Sequence, residues 1–188
     1  MEKTAPSSVR LFLALDLPED VRAQLVEWQG QVFGGHGRSV RLVRPASLHV
    51  TLVFLGHHPP DQVEAIREAA FSRLGGLVAP ALSCAAVKAV PPRRPRLWAL
   101  DLADPGEHST AVQEAVAAPL AEGGWYEPEK RPFWPHVTVA RVRARERPPR
   151  IEAAPPQCAF VASEVVLYRS RLSRGGADYE PLARLRLT

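Results

Sequence analysis

Two short segments of this chain carry the same alternation. Leu48-His49-Val50-Thr51-Leu52-Val53-Phe54-Leu55-Gly56 and Pro135-His136-Val137-Thr138-Val139-Ala140-Arg141 each set a histidine and a threonine among apolar residues. A period of two belongs to a strand, whose opposite faces carry different side chains. The pattern predicts His49 and Thr51 on one face of the first strand and His136 and Thr138 on one face of the second. Leu48, Val50, Leu52 and Phe54, with Val137 and Val139, would form the buried faces. One such pair alone is better explained by a structural hydrogen bond than by catalysis. Six histidines and five threonines in 188 residues make a second copy hard to ascribe to composition.

The segments around the two copies also repeat. Val9 to Asp16 has few polar interruptions and reads as a strand paired on both sides. A helix from Pro18 follows, with Glu19 and Asp20 at its positive end and Val21, Leu25, Trp28 and Val32 on one face. Pro59-Pro60 opens a second helix that Gly75-Gly76 stops. Residues 81 to 90 and 96 to 102 read as strands, and residues 107 to 122 as a third helix in which Pro119 weakens the last turn. Strand, helix and His-Thr strand thus occur twice, as in an internal duplication. The predicted architecture is α+β, with two pseudo-symmetric lobes. Each lobe would be an antiparallel sheet with helices on its outer face, and a central cleft would carry both HxT motifs. All of residues 1–188 would form this one bilobal domain, with 1–8 disordered. Residues 143 to 157 read as a loop, and Phe160 to Tyr168 and Tyr179 to Leu187 as two strands. The hairpin between them would hold Arg169, Arg171, Arg174 and Gly175-Gly176.

Charge narrows the partners only a little. A formal net charge of +4 is compatible with an anionic ligand, and nearly all basic side chains are arginine, whose planar fork suits phosphate oxygens. Arg93, Arg94 and Arg96 beside Trp98 are either a solvated turn or an edge that grips a phosphodiester backbone and stacks a base. Cys84 and Cys158 lie in apolar runs and read as buried free thiols, which fits a cytoplasmic protein. No segment has the form of a signal peptide or membrane span.

Two imidazoles facing one space can serve as acid and base near neutral pH. Thr51 and Thr138 would offer hydroxyls to the non-bridging oxygens of a phosphoryl group between them. Arg141 could neutralise developing charge, but strict alternation puts it on the wrong face, so its participation requires a bulge or a strand end. No metal is expected, because His36, His57, His58 and His108 fall in or near turns without ligand spacing and no CxxC pair exists. Phosphate-loop, dinucleotide and nucleophile-elbow motifs are missing as well.

These residues resemble the 2H phosphoesterase superfamily, and within it the RNA 2′,3′-cyclic phosphodiesterase branch, also called 2′-5′ RNA ligase. The resemblance rests on Arg10 to Pro18, Leu48 to Gly56, Arg131 to Arg141 and Val165 to Leu172, and so spans nearly the whole chain. It implies hydrolysis of a 2′,3′-cyclic phosphate on RNA ends or nucleosides to a 2′-phosphomonoester, with no metal requirement; the chain itself reads as a monomer away from membranes, without a cofactor. By the same resemblance His49 would be the proton donor and His136 the proton acceptor, Arg141 would bind substrate, and Phe12 would lie near the nucleoside. Trp98 is the further candidate for base contact. The alternatives are 2′-5′ ligation of RNA ends, and a non-catalytic module that binds single-stranded RNA.

Overall fold

The computed structural model describes residues 8–173 and 176–188. The disorder expected of the N-terminus lies outside that range except for Ser8, as do Arg174 and Gly175 of the predicted hairpin. In chain order the elements are β1 (Val9–Asp16), α1 (Glu19–Phe33), β2 (Val40–Leu42), β3 (His49–His58), α2 (Val63–Phe71), β4 (Ala81–Val90), β5 (Leu97–Ala103), α3 (His108–Glu122), β6 (His136–Val142), β7 (Ala159–Val161), β8 (Glu164–Ser173) and β9 (Gly176–Arg186).

The strands form an antiparallel sheet in the order β7-β4-β5-β6-β3-β1-β8-β9, with β2 also paired to β6. The two expected sheets are therefore joined, and the joint is the pair Val50↔Val137, one residue beyond each motif histidine. Beyond that pair β2 replaces β3 beside β6, through Val40↔Val142 and Leu42↔Ala140. The architecture is α+β, with helices covering one face of a curled sheet.

Leu11, Leu13 and Leu15 of β1, Val50 and Leu52 of β3, and Val137 and Val139 of β6 all enter the main core with Leu25 and Phe33 of α1 and Val112 and Val116 of α3. Phe12 and Ala14 point the other way, into a small cluster with Val166, Tyr168 and Tyr179. Alternation along β1 thus fills both faces, as expected of a strand with neighbours on each side.

Several boundaries differ from the sequence reading. The stretch 160–168 is two strands: β7 pairs with β4, and β8 pairs with β1 and β9. A break at 162–163 passes the chain from one half of the sheet to the other, and a continuous apolar run hides it. Arg169 and Arg171 belong to β8 and not to a hairpin loop. Helix α2 ends at Phe71, before Gly75, and Pro18 stands at the N-cap of α1 with no side-chain cap. Among the described residues no helix is long and apolar enough to cross a membrane. Both cysteines are free thiols.

Candidate active site

Both HxT pairs line one cavity of about 600 Å³. The backbone reaches this arrangement by the same device twice. In β3 the register with β1 slips between Leu13↔Val53 and Ala14↔Thr51, so Leu52 is an extra residue. In β6 the register with β5 slips between Trp98↔Ala140 and Ala99↔Thr138, so Val139 is the extra residue. A bulge inserted directly after the threonine reverses the alternation beyond it. Arg141 thereby joins His136 and Thr138 at the cavity, as its participation required. Phe54, five residues after its histidine as Arg141 is after His136, turns out in the same way and is 44% exposed in the cavity wall. Its expected place on the buried face is corrected by the bulge. Gly56 takes φ 78° beyond a second slip in β3, in the left-handed region that suits glycine.

The bulge in β6 has a dedicated partner. Gln29 of α1, 1% exposed, donates through Nε2 to the Val139 carbonyl at 2.6 Å and to that of Val43 at 3.2 Å. The backbone N–H of Val43 also donates to Val139 O at 2.9 Å. The carbonyl at the bulge therefore accepts twice, from the β2 backbone and from the buried Gln29 amide, which ties α1 to the bulge. Gln29 was not legible as a site residue; a polar side chain on the apolar face of α1 was the only signal.

Each histidine is fixed by the carbonyl two residues before it. His49 Nδ1–H donates to Ser47 O at 2.8 Å, and His136 Nδ1–H donates to Trp134 O at 2.8 Å. A proton held at Nδ1 leaves Nε2 as the basic nitrogen of the neutral ring. For His49 that nitrogen accepts from the Thr51 hydroxyl at 3.1 Å. Across the ladder each histidine faces an aspartate in register, Asp16 for His49 and Asp101 for His136. Asp16 ties down Arg22, Arg184 and the Tyr168 hydroxyl. Arg22 in turn donates to the carbonyls of Pro45 and Leu48 at 2.7 and 2.8 Å, which anchors the entry to β3.

Burial pushes His49 down to about 4, with Arg22 and His136 adding to the effect while the Ser47 carbonyl and Asp16 oppose it. Burial also lowers His136, aided by Arg141 and opposed by the Trp134 carbonyl and Asp101. Burial therefore favours the neutral form of both imidazoles in the free protein.

Arg10, Arg41, Arg44 and Arg141 line the same cavity, and no carboxylate does so among the described residues. Arg41 and Arg141 stand directly opposite each other on β2 and β6. Both guanidiniums thus border the same space, where their planar forks suit phosphate oxygens. Tyr179 completes the wall beside His49, at 5.3 Å between ring centroids.

Two sequence candidates lie elsewhere. Trp98 is 1% exposed and packs on Phe33 at 5.5 Å, so it belongs to the core and cannot stack a base. Its apolar neighbours in β5 carry it inward, away from the exposed arginines of the preceding turn. Phe12 is wholly buried; it sits behind the site, 5.0 Å from His49 and 5.5 Å from Phe54, and does not reach a ligand. Phe54 and Tyr179 are the phenyl and phenol rings that line the cavity.

The chain is similar to proteins of one family over nearly its whole length. The profile of the 2′-5′ RNA ligase superfamily matches residues 17–174. The RNA 2′,3′-cyclic phosphodiesterase of Escherichia coli is 31% identical over 182 residues, covering 95% of this chain and 97% of the relative. The enzyme of that name from Thermus thermophilus is 33% identical, covering 95% and 90%. The crystal structure of E. coli LigT complexed with 3′-AMP superposes with a TM-score of 0.80 at 27% identity, covering 96% and 99%. A twice-built histidine cleft, a profile match over most of the length and full-length relatives place this chain in the 2′-5′ RNA ligase superfamily.

Proposed function

We propose that this protein hydrolyses a terminal 2′,3′-cyclic phosphate on RNA to a 2′-phosphomonoester, with His136 as proton acceptor and His49 as proton donor. The observation that carries the reading is that both imidazoles present Nε2, with Nδ1–H bound to a backbone carbonyl, at one arginine-lined cavity. His136 takes a proton from water as its oxygen attacks phosphorus. The bond from phosphorus to the ribose 3′ oxygen breaks on the opposite side, and His49 delivers a proton to that oxygen. Retention of the phosphate on the 2′ oxygen follows the family resemblance, the superfamily's name placing its linkage on that oxygen.

The direction of the two shifts suits these roles. An imidazolium with a pKa of about 4 is a strong acid, but it is scarce at neutral pH until an anion lies beside it. The substrate supplies that anion, so binding and protonation of His49 are coupled. Thr51 and Thr138 donate to the non-bridging oxygens, Arg141 balances the charge gathered in the transition state, and Phe54 offers a face to the base. With a 5′-hydroxyl in place of water the same transfer joins two RNA ends through a 2′-5′ linkage, the reaction named by the superfamily.

We read residues 1–188 as one bilobal domain made by internal duplication, acting as a cytoplasmic monomer without a cofactor. The matched bulges and matched histidine tethers support the duplication. The test is incubation with an oligoribonucleotide bearing a 2′,3′-cyclic phosphate, in EDTA, with the product end identified. A 2′-phosphate is expected. A 3′-phosphate, or turnover that needs an added divalent ion, would overturn the reading.

A further inference from the structure

Trp134 has no part in the cavity wall, yet it makes the closest ring contact to a motif histidine. Its indole stacks on the His136 imidazole with centroids 4.1 Å apart and planes 16° from parallel. The same residue supplies the carbonyl that holds His136 Nδ1. The indole is itself held: Nε1–H donates to Asp101 Oδ1 at 2.6 Å, and Lys88 Nζ lies 5.5 Å from the ring centroid. Lys88 and Asp101 are paired at 2.6 Å, which closes the set.

We propose that Trp134 is a positioning residue for His136, fixing the imidazole plane and tautomer so that Nε2 meets the attacking water, with Asp101 and Lys88 holding the indole in place. This deepens the phosphodiesterase reading and rests on it. One backbone carbonyl fixes the position of Nδ1 but leaves the ring free to turn about that bond. A parallel ring at van der Waals distance removes the remaining freedom. The other motif histidine obtains the same restraint differently, from the Thr51 hydroxyl and the rings of Phe12 and Tyr179. The clamp thus supplies on β6 what β3 obtains from its own neighbours.

The charged and titratable groups facing His136 are Asp101 on β5, Lys88 on β4 behind it, Arg141 on β6 and His49 on β3. Asp101 favours the imidazolium, and Arg141 disfavours it. Burial would raise the Asp101 carboxyl, but hydrogen bonds from Lys88 and Trp134 together keep it low and ionised.

The test compares Trp134→Ala, Trp134→Phe and Asp101→Asn on the cyclic-phosphate substrate, with ¹⁵N shifts of the His136 ring recorded in parallel. For Trp134→Ala, kcat is expected to fall about 10- to 10²-fold with KM little changed, since the loss is one of orientation. Trp134→Phe keeps a stacked ring and is expected to recover most of the rate. Asp101→Asn is expected to move the acidic limb of the pH profile to lower pH, because the charge that favours protonated His136 is gone. Unchanged kcat in Trp134→Ala, an equal loss in the Phe variant, or parallel changes in kcat and KM would overturn the proposal. If the wild-type protein does not turn over the cyclic phosphate, the reaction class has failed. The ring shifts still decide the clamp: a single Nδ1–H tautomer in wild type that becomes mixed in Trp134→Ala supports it, and identical shifts refute it.

Discussion

The wall of the cleft built on β3 and the wall built on β6 share a backbone and differ in what surrounds it. Each has a histidine tied to a carbonyl two residues back, a threonine two residues on, a bulge directly after, and an aspartate across the ladder. At the position where the bulge returns a side chain to the cavity, one wall offers Phe54 and the other Arg141. Around the histidine, β3 has Phe12, Tyr168 and Tyr179, while β6 has Trp134 and the exposed Lys88. A repeated device thus sets two groups to one task, and unlike surroundings divide the labour. In the proposed mechanism His49, beside an apolar ring, acts as the acid and His136, beside a cation, as the base.

The largest effect should fall equally on both walls. His49→Ala and His136→Ala are each expected to lower the hydrolysis rate by at least about 10²- to 10⁴-fold, since each removes one proton transfer. Turnover that survives either change would break the equivalence of the two walls.

Stability should separate them. The folded pKa of His49, about 4, lies below its unfolded value of about 6.5, so the unfolded chain binds the extra proton between those values. Stability from this group is full above pH 6.5 and is lost as pH falls toward 4, by an amount on the order of 3 kcal/mol. Urea unfolding across that range should show a smaller acid loss in His49→Asn than in wild type. Matching pH dependences would show that the ring is not held neutral by burial.

Arg141 and Phe54 occupy equivalent positions and should fail in different ways. Arg141→Ala is expected to lower kcat/KM about 10- to 100-fold and to weaken its salt dependence, as for loss of a charged hydrogen bond. Phe54→Ala should raise KM by roughly tenfold or less, on the scale of one stacked base, with kcat retained. Gln29→Leu should resemble Arg141→Ala more than Phe54→Ala if the bulge at Val139 depends on that side chain. Kinetics like wild type in Gln29→Leu would mean the bulge holds without it.

The sequence disclosed the parts of the site that follow from alternation, and those parts only. His49, Thr51, His136 and Thr138 share a face because a strand has period two, and that survives up to each threonine. Past that point a single inserted residue reverses the pattern, and nothing in Leu52 or Val139 announces an insertion. Phe54 was misplaced for that reason, and Arg141 could only be made conditional on a bulge. Trp98 was drawn toward RNA by its neighbours in sequence, although its strand sends it into the core. Gln29 reaches the bulge from α1, and the Trp134 indole is held by Asp101 of β5; no local pattern encodes those contacts.

The most direct test of two imidazoles sharing one phosphate is an NMR titration of the His49 and His136 ring protons with a nucleoside 2′-monophosphate. Both rings are expected to respond together, to saturate at one equivalent, and to titrate at higher pH in the complex than in the free protein. A response confined to one ring, or two separate saturations, would contradict the account.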